Sequence, residues 1–303
     1  MIRTCDSAPS DLELRISAAF EQREALERED VRWRIEAARA PICTAQVDEA
    51  REERVAACTA PPPDDILVVL DASRSMGWDM TVDPEILQAI ERINRQVDAR
   101  GNLPQNLLNQ YNRLVRQAES PREPDRIDAA RDALSGLLTG LSQNARLRLI
   151  SFADCGRVPR EEGVFGTGDA SAYRQTLDSV RLRNNTALAA ALDAIPRLVT
   201  AGRTADRPAA IILVSDGEDS CRGDPCAAAR RLASTLPHAQ VSVVSLGAGI
   251  EANRCIAEAT GGAFYEANNV DRLSQRLRQT TGQLSRDECE AIVDEEIAVE
   301  GQE

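Results

Sequence analysis

Four short aliphatic runs constrain this chain more than any other feature. They are Ile66–Leu70, Leu147–Phe152, Ala210–Ser215 and Val241–Leu246. Each is continuous rather than alternating, the pattern of a strand buried on both faces. Helical patterns lie between and after them, at 126–141, 170–181, 187–199, 224–236, 252–260 and 270–284. Gly261-Gly262 then leads into a short strand, Ala263–Glu266. Strands alternating with helices imply βαβ units with right-handed crossovers. The expected class is α/β: a Rossmann-like, doubly wound, mostly parallel sheet flanked by helices. Aromatics make up 3% of the chain, so Ala, Val, Leu and Ile must fill its core.

The segments outside this alternation set the expected domain plan. Residues 1–60 form a helical N-terminal arm. Its first helix spans 10–40, opened by a Ser10/Glu13 capping box, and a second, shorter helix spans 44–58. Pro61-Pro62-Pro63 is a stiff boundary. The α/β domain occupies 61–284, and 285–303 is an acidic C-terminal tail. Residues 78–125 interrupt the domain between its first strand and the helix that should follow. Two amphipathic helices are readable there, Pro84–Ala99 and Pro104–Ala118, separated by Gly101-Asn102. They are expected to form a helical hairpin beside the end of the first strand.

Charge and composition exclude several functions. The net charge is −13, from 49 acids against 36 cations, and every cation is arginine. Without lysine there is no Schiff-base chemistry and no Walker-type phosphate lysine. The single histidine, His238, leaves little room for a Ser-His-Asp triad or a histidine-rich zinc site. The acidic balance argues against nucleic acid or an anionic membrane as partner. The excess is not evenly spread: residues 61–286 hold 27 arginines and 28 acids, whereas 287–303 hold 8 acids and no arginine.

The chemistry gathers where the strands end. The first closes in Asp71-Ala72-Ser73-Arg74-Ser75, an Asp-x-Ser-x-Ser string on the sheet edge where open α/β folds bind ligands. One carboxylate and two hydroxyls on a tight loop converge on a point, as oxygen ligands for Mg²⁺ or Mn²⁺ rather than zinc. Asn184-Asn185-Thr186 opens a helix and adds a hydroxyl. Ser215-Asp216-Gly217 ends another buried strand and adds Asp216 at the same edge. In this order and context, the motifs resemble the metal-ion-dependent adhesion site of the von Willebrand factor type A (VWA) family, over roughly residues 64–284 apart from the insertion. The resemblance implies a metal shell of Asp71, Ser73, Ser75, Thr186 and Asp216. It also implies a vacant position on the metal, filled by a carboxylate of the partner. The loop from Cys221 to Cys226 and the stretch 254–262 resemble bacterial members in particular. Arg74 departs from the family, where glycine is common. It is expected at the rim, either helping to hold an incoming carboxylate or simply solvated. Asp154, Glu218, Asp219 and Asp224 are expected in loops at this edge, outside the metal shell.

The eight cysteines fall into two groups of four. Cys155, Cys221, Cys226 and Cys255 follow strand ends on the metal edge, and Cys5, Cys43, Cys58 and Cys289 lie in the arms. In the family's strand order, a local Cys221–Cys226 bridge would leave Cys155 and Cys255 several ~4.8 Å strand spacings apart. Crossed pairing, Cys155 to one of that pair and Cys255 to the other, is geometrically easier. A Cys₄ zinc site is the competing account, weakened by the loose Cys-x₄-Cys spacing. In the arms, Cys289 is a candidate to tie the acidic tail to the N-terminal helices. An even count at this density suggests an oxidising compartment, yet Met1–Asp6 shows no secretory leader, and no run of about 18 apolar residues offers a membrane span. The expected resolution is a periplasmic or extracellular protein whose signal or anchor precedes a non-native Met1. The alternative is a cytoplasmic protein with free thiols or a metal.

The leading functional expectation is a binding module: Mg²⁺-dependent (or Mn²⁺- or Ca²⁺-dependent) recognition of a protein partner through an acidic residue, without turnover. A metal-assisted hydrolase on the same carboxylates is a second reading. It lacks a lysine to neutralise phosphate, and His238 precedes its strand on the opposite edge. A structural or assembly protein acting through its helical arms is the third.

Overall fold

The computed structural model describes residues 47–60, 64–97, 102–119, 124–200, 209–246 and 253–300. The chain divides into two compact units. The larger is Pro61–Gln283, and the smaller combines residues from both ends of the chain, Met1–Ala60 and Leu284–Glu303.

The larger unit is built on a six-stranded sheet. Its strands are β1 (Asp65–Asp71), β2 (Arg146–Phe152), β3 (Arg160–Phe165), β4 (Ala209–Ser215), β5 (Ala239–Leu246) and β6 (Phe264–Ala267), in the spatial order β3-β2-β1-β4-β5-β6. All pairings are parallel except β2 with β3. The expected doubly wound, mostly parallel α/β fold is therefore observed, with an antiparallel strand at one edge. Sequence reading missed β3. Arg160-Glu161-Glu162-Gly163 carries no aliphatic run, as suits an edge strand with one solvated side.

The continuous runs are continuous because both faces are covered. Ile66, Val68 and Leu70 of β1 enter one core, together with Ile212, Val214, Val244 and Leu246. Leu67 and Val69 enter the other, with Ile211, Leu213, Val241 and Val243. The first face is covered by helices Arg126–Ser135, Ala170–Ser179 and Val270–Thr280, through residues such as Leu134, Leu177 and Leu273. The second is covered by helices Leu188–Thr200, Pro225–Thr235 and Arg254–Thr260, through Leu192, Leu232 and Ile256. The last of these ends on Gly261 at φ 70°, a left-handed cap that glycine adopts without steric cost. Beside it, a Cβ on Gly262 would run into the backbone carbonyl of Val241, so the approach of chain to strand requires glycine.

The insertion is a helix pair, Pro84–Asn94 and Gln105–Ala118. The first helix ends before the expected Ala99, and Val97 beyond it is exposed. The pair has its own apolar cluster, Trp78, Ile90, Val115 and Ala118, joined by Ile86, Leu87, Tyr111 and Leu114. Its two ends are zipped together. Asp79 bridges Asp125 in antiparallel fashion, Asp79 N donates to Ala118 O at 2.9 Å, and Arg126 N donates to Trp78 O at 2.9 Å.

In the smaller unit, helix 47–58 and helix Arg286–Glu300 share a cluster of Val55, Cys58, Cys289, Ile292 and Val293. The acidic C-terminal segment, expected only as a tail, is thus a helix with a buried apolar face. Its acids meet arginines of the other helix. Arg51 lies 2.6 Å from Asp294 and Arg54 lies 3.7 Å from Glu296. Arg286 of the acidic helix reaches back to Glu52 at 3.0 Å. The expected helix 10–40 lies outside the described residues.

Three disulfides are formed: Cys58–Cys289, Cys155–Cys221 and Cys226–Cys255. The second and third are one of the two crossed pairings, and they exclude a Cys₄ zinc site built from those residues. Cys5 and Cys43 lie outside the described residues. Among the described residues no helix is long and apolar enough to cross a membrane. Peptide mapping without reductant should return these three linked pairs, and a peptide carrying a Cys221–Cys226 bridge would contradict the structure. Replacing Cys226 and Cys255 together by serine opens a loop with a sequence separation of 29 and should lower unfolding stability by ~2–4 kcal/mol in urea titrations.

Candidate functional site

β1 and β4 are neighbours in the sheet, so their carboxyl ends deliver Asp71 and Asp216 to the same place. Both residues are buried, at 0% and 4% exposure. Past Asp71 the chain turns at once into a short 3₁₀ segment, Arg74–Gly77. The turn is held by the carboxylate itself: Asp71 Oδ1 accepts from Ser73 N at 2.8 Å. Its other oxygen accepts from Ser215 Oγ at 2.6 Å, which ties the two strand ends together.

The hydroxyls complete a connected oxygen cluster. Ser73 Oγ and Ser75 Oγ are 3.1 Å apart, and Ser75 Oγ donates to Asp216 Oδ1 at 3.0 Å. The loop that carries Thr186 lies against the same turn. Ser73 pairs with Arg183 in a parallel bridge, and Arg183 N donates to Ala72 O at 2.8 Å. Thr186 is itself buried, its backbone held by Ser220 through Thr186 N to Ser220 Oγ at 2.8 Å and Ser220 N to Thr186 O at 2.9 Å. Asp71, Ser73, Ser75 and Asp216 are therefore linked side chain to side chain or through one backbone amide, and the loop of Thr186 is brought alongside them. Among the described residues no three or more His, Cys, Asp or Glu side chains gather as a metal cluster. At this edge two carboxylates are joined by hydroxyls instead. Such an all-oxygen donor set has the chemistry of a site for a hard divalent cation.

Burial and the neighbouring Asp216 charge push the Asp71 carboxyl up to about 7, against the opposing effect of the Ser215 and Ser73 hydrogen bonds. Two carboxylates share a buried site, and the first resists ionisation.

Three of the remaining acids at this edge have structural duties. Asp219 accepts from Ala189 N, Cys221 N and Gly223 N, so it shapes the loop ahead of the third disulfide. Asp224 caps the helix Pro225–Thr235 through Ala227 N. Asp154 is paired with Arg157 and Arg183, and Glu218 is exposed. Arg74 is more than half exposed, and its guanidinium lies 3.2 Å from Glu119 at the end of the second insertion helix.

The sequence of residues 66–218 matches the family model of the von Willebrand factor type A domain. The chain belongs to this family. No curated protein matches the sequence. Among solved structures, a variant of the PilB minor pilin from Streptococcus sanguinis superposes with a TM-score of 0.51 at 11% identity, over 75% of this chain and 62% of the pilin. BatB from Bacteroides thetaiotaomicron gives 0.47 at 17% identity, over 71% of this chain and 98% of BatB. A VWA protein from Catenulispora acidiphila gives 0.48 at 14%, over 74% of this chain and 42% of its own. The likeness to the pilin variant shows the shared fold.

One residue of this VWA domain's oxygen cluster was not found from sequence. Arg126 is 1% exposed, and its Nη1 lies 2.6 Å from Asp216 Oδ2. Its guanidinium also sits over the Trp78 ring, 5.7 Å from the centroid. The sequence held a faint signal: Arg126 is an arginine in a stretch otherwise periodic in Ile127, Ala130 and Leu134, at the first position of its helix. A cation there opposes the helix dipole, so helix formation alone does not call for it.

The raised Asp71 carboxyl has a measurable sign. It binds a proton more readily in the folded than in the unfolded protein. That stability is complete below about pH 4 and is lost as the pH rises through about 7, by ~4 kcal/mol at most. Thermal melts in chelator should therefore show a falling Tm between pH 4 and pH 8, and Asp71→Asn should flatten the slope. An unchanged slope in that variant would contradict the assignment.

Proposed function

We propose that this VWA chain is a divalent-cation-dependent protein-binding module. In this reading Asp71, Ser73, Ser75, Thr186 and Asp216 form a metal-ion-dependent adhesion site. It holds Mg²⁺, or Mn²⁺ or Ca²⁺ in its place, and it recognises a carboxylate of an acidic partner protein. The observation that carries the reading is the connected oxygen cluster at the carboxyl edge of β1 and β4, with both of its carboxylates buried. Burying two like charges side by side is unfavourable unless a cation or a hydrogen-bond network offsets it. When bound, a divalent cation supplies positive charge beyond that of Arg126 and an open position for a carboxylate oxygen.

The chain's own groups perform the rest. The Ser73 amide and the Ser215 hydroxyl hold Asp71 in place. Ser75 holds one oxygen of Asp216. Arg74 is at the exposed rim, where its pairing with Glu119 links the rim to the insertion. No turnover is proposed: neither a lysine nor a histidine is available at this edge to serve a phosphoryl or acyl transfer. The three disulfides support an oxidising compartment, periplasmic or extracellular.

Partner binding should disappear with EDTA and return on adding Mg²⁺. Asp71→Ala should abolish it while the far-UV circular dichroism stays unchanged. Binding that survives both treatments would overturn the reading. Sustained hydrolysis of a model phosphate ester in Mg²⁺ would favour the enzymatic alternative instead.

A further inference from the structure

The pairing of Arg126 with Asp216 has no counterpart in the residue set that defines the proposed metal site. The arginine is held rigidly. Asp125 caps the start of its helix by accepting from Asp128 N at 2.9 Å, and Arg126 N is fixed on Trp78 O. Its side chain is 2% exposed. Its Nε and the neighbouring Trp78 Nε1 are buried without a hydrogen-bond partner. A guanidinium keeps its proton under all ordinary conditions. A permanent positive charge is thus built into the dry side of the cluster, on the carboxylate oxygen that Ser75 leaves free.

We propose that Arg126 is the internal counter-charge of the site, which weakens cation binding and strengthens the grip of the cation-loaded site on an acidic partner. The proposal rests on the metal-site reading above. The charge count explains both effects. With both carboxylates ionised and Arg126 positive, the cluster carries a single negative charge. A divalent cation turns that into a single positive charge, which a partner carboxylate then neutralises. Without the arginine, the two carboxylates neutralise the cation on their own, and an incoming carboxylate leaves an uncompensated negative charge. Inside a buried, weakly screened site such differences are large. The guanidinium also explains how the two carboxylates are tolerated before a cation arrives: Asp216 already has a partner.

The test uses the full chain, with Mn²⁺ as the cation and acetate as the carboxylate. Calorimetry gives the Mn²⁺ affinity. Water-proton relaxation of the Mn²⁺-loaded protein gives the acetate concentration that displaces coordinated water. Arg126→Met should bind Mn²⁺ at least tenfold more tightly and acetate at least fivefold more weakly than the wild type. Arg126→Lys, which keeps the charge, should stay within about threefold of the wild type in both. Should Arg126→Met fold poorly in chelator, recovery of its melting transition on adding Mn²⁺ would support the proposal, since the ion then replaces the lost charge. Failure to recover would overturn it. Unchanged or weaker Mn²⁺ binding by a folded Arg126→Met would also overturn it, with the metal-site reading intact. If the wild type itself bound no Mn²⁺, or bound it equally well as Asp71→Ala, the metal-site reading would fall and the proposal with it.

Discussion

Two carboxylates buried side by side at the ends of adjacent parallel strands are the constraint on which this domain turns. The sheet places them there without choice, because β1 and β4 are neighbours and both stop at the same edge. Everything above the sheet then answers to those charges. Ser215 bridges from one strand end to the other's carboxylate. The turn after β1 folds back so that its own amide and hydroxyls face inward. Arg126 arrives from a helix start to hold the second acid. None of these groups is placed well for the sheet alone, since aliphatic side chains would pack the same space at lower cost. Their presence is what supports the proposed site at this edge.

Much of this was legible in the sequence because the fold's signals are local. A strand buried on both faces needs an unbroken aliphatic run, and four such runs locate four of the six strands. The ligand motifs follow two of those runs directly, so their place on the carboxyl edge follows from chain order. The features that were missed are those set by distant neighbours. β3 is an edge strand whose Arg160 and Glu161 are exposed and whose Glu162 is covered through a hydrogen bond from Ser151, so its first residues leave no aliphatic run. Arg126 is charged in sequence and buried in space, and only its partner 90 residues away explains why. The acidic end of the chain reads as a solvated tail by composition. Its apolar residues Ile292 and Val293, adjacent in sequence, fall on one buried face with Cys289.

The cysteines show the same division between local and distant information. Their spacing left the pairing open, and the choice between bridges was decided by where the strands lie. Cys226 and Cys255 sit at the starts of two helices on the same face of the sheet, whereas Cys155 and Cys221 belong to the loops that follow β2 and β4. Together with Asp219, which holds the backbone of Cys221 and Gly223, these bridges fix the loops around the oxygen cluster from outside. Covalent ties and capping carboxylates thus do at the periphery what buried hydrogen bonds do at the centre.

The neck of the insertion carries one more consequence. Asp79 and Asp125 are already paired across a two-stranded bridge, so the chain between them leaves and re-enters the domain at nearly one point. The entropy of closing a loop grows only slowly with its length once its ends are fixed. The segment between those two residues can therefore change in length at little entropic cost to the sheet beneath it. Trp78 and Arg126, just outside the bridge, are joined by a backbone hydrogen bond and a cation–ring contact that close the neck. The insertion is thus hung from the domain by a single neck, so that its length is uncoupled from the geometry of the strand ends beside it.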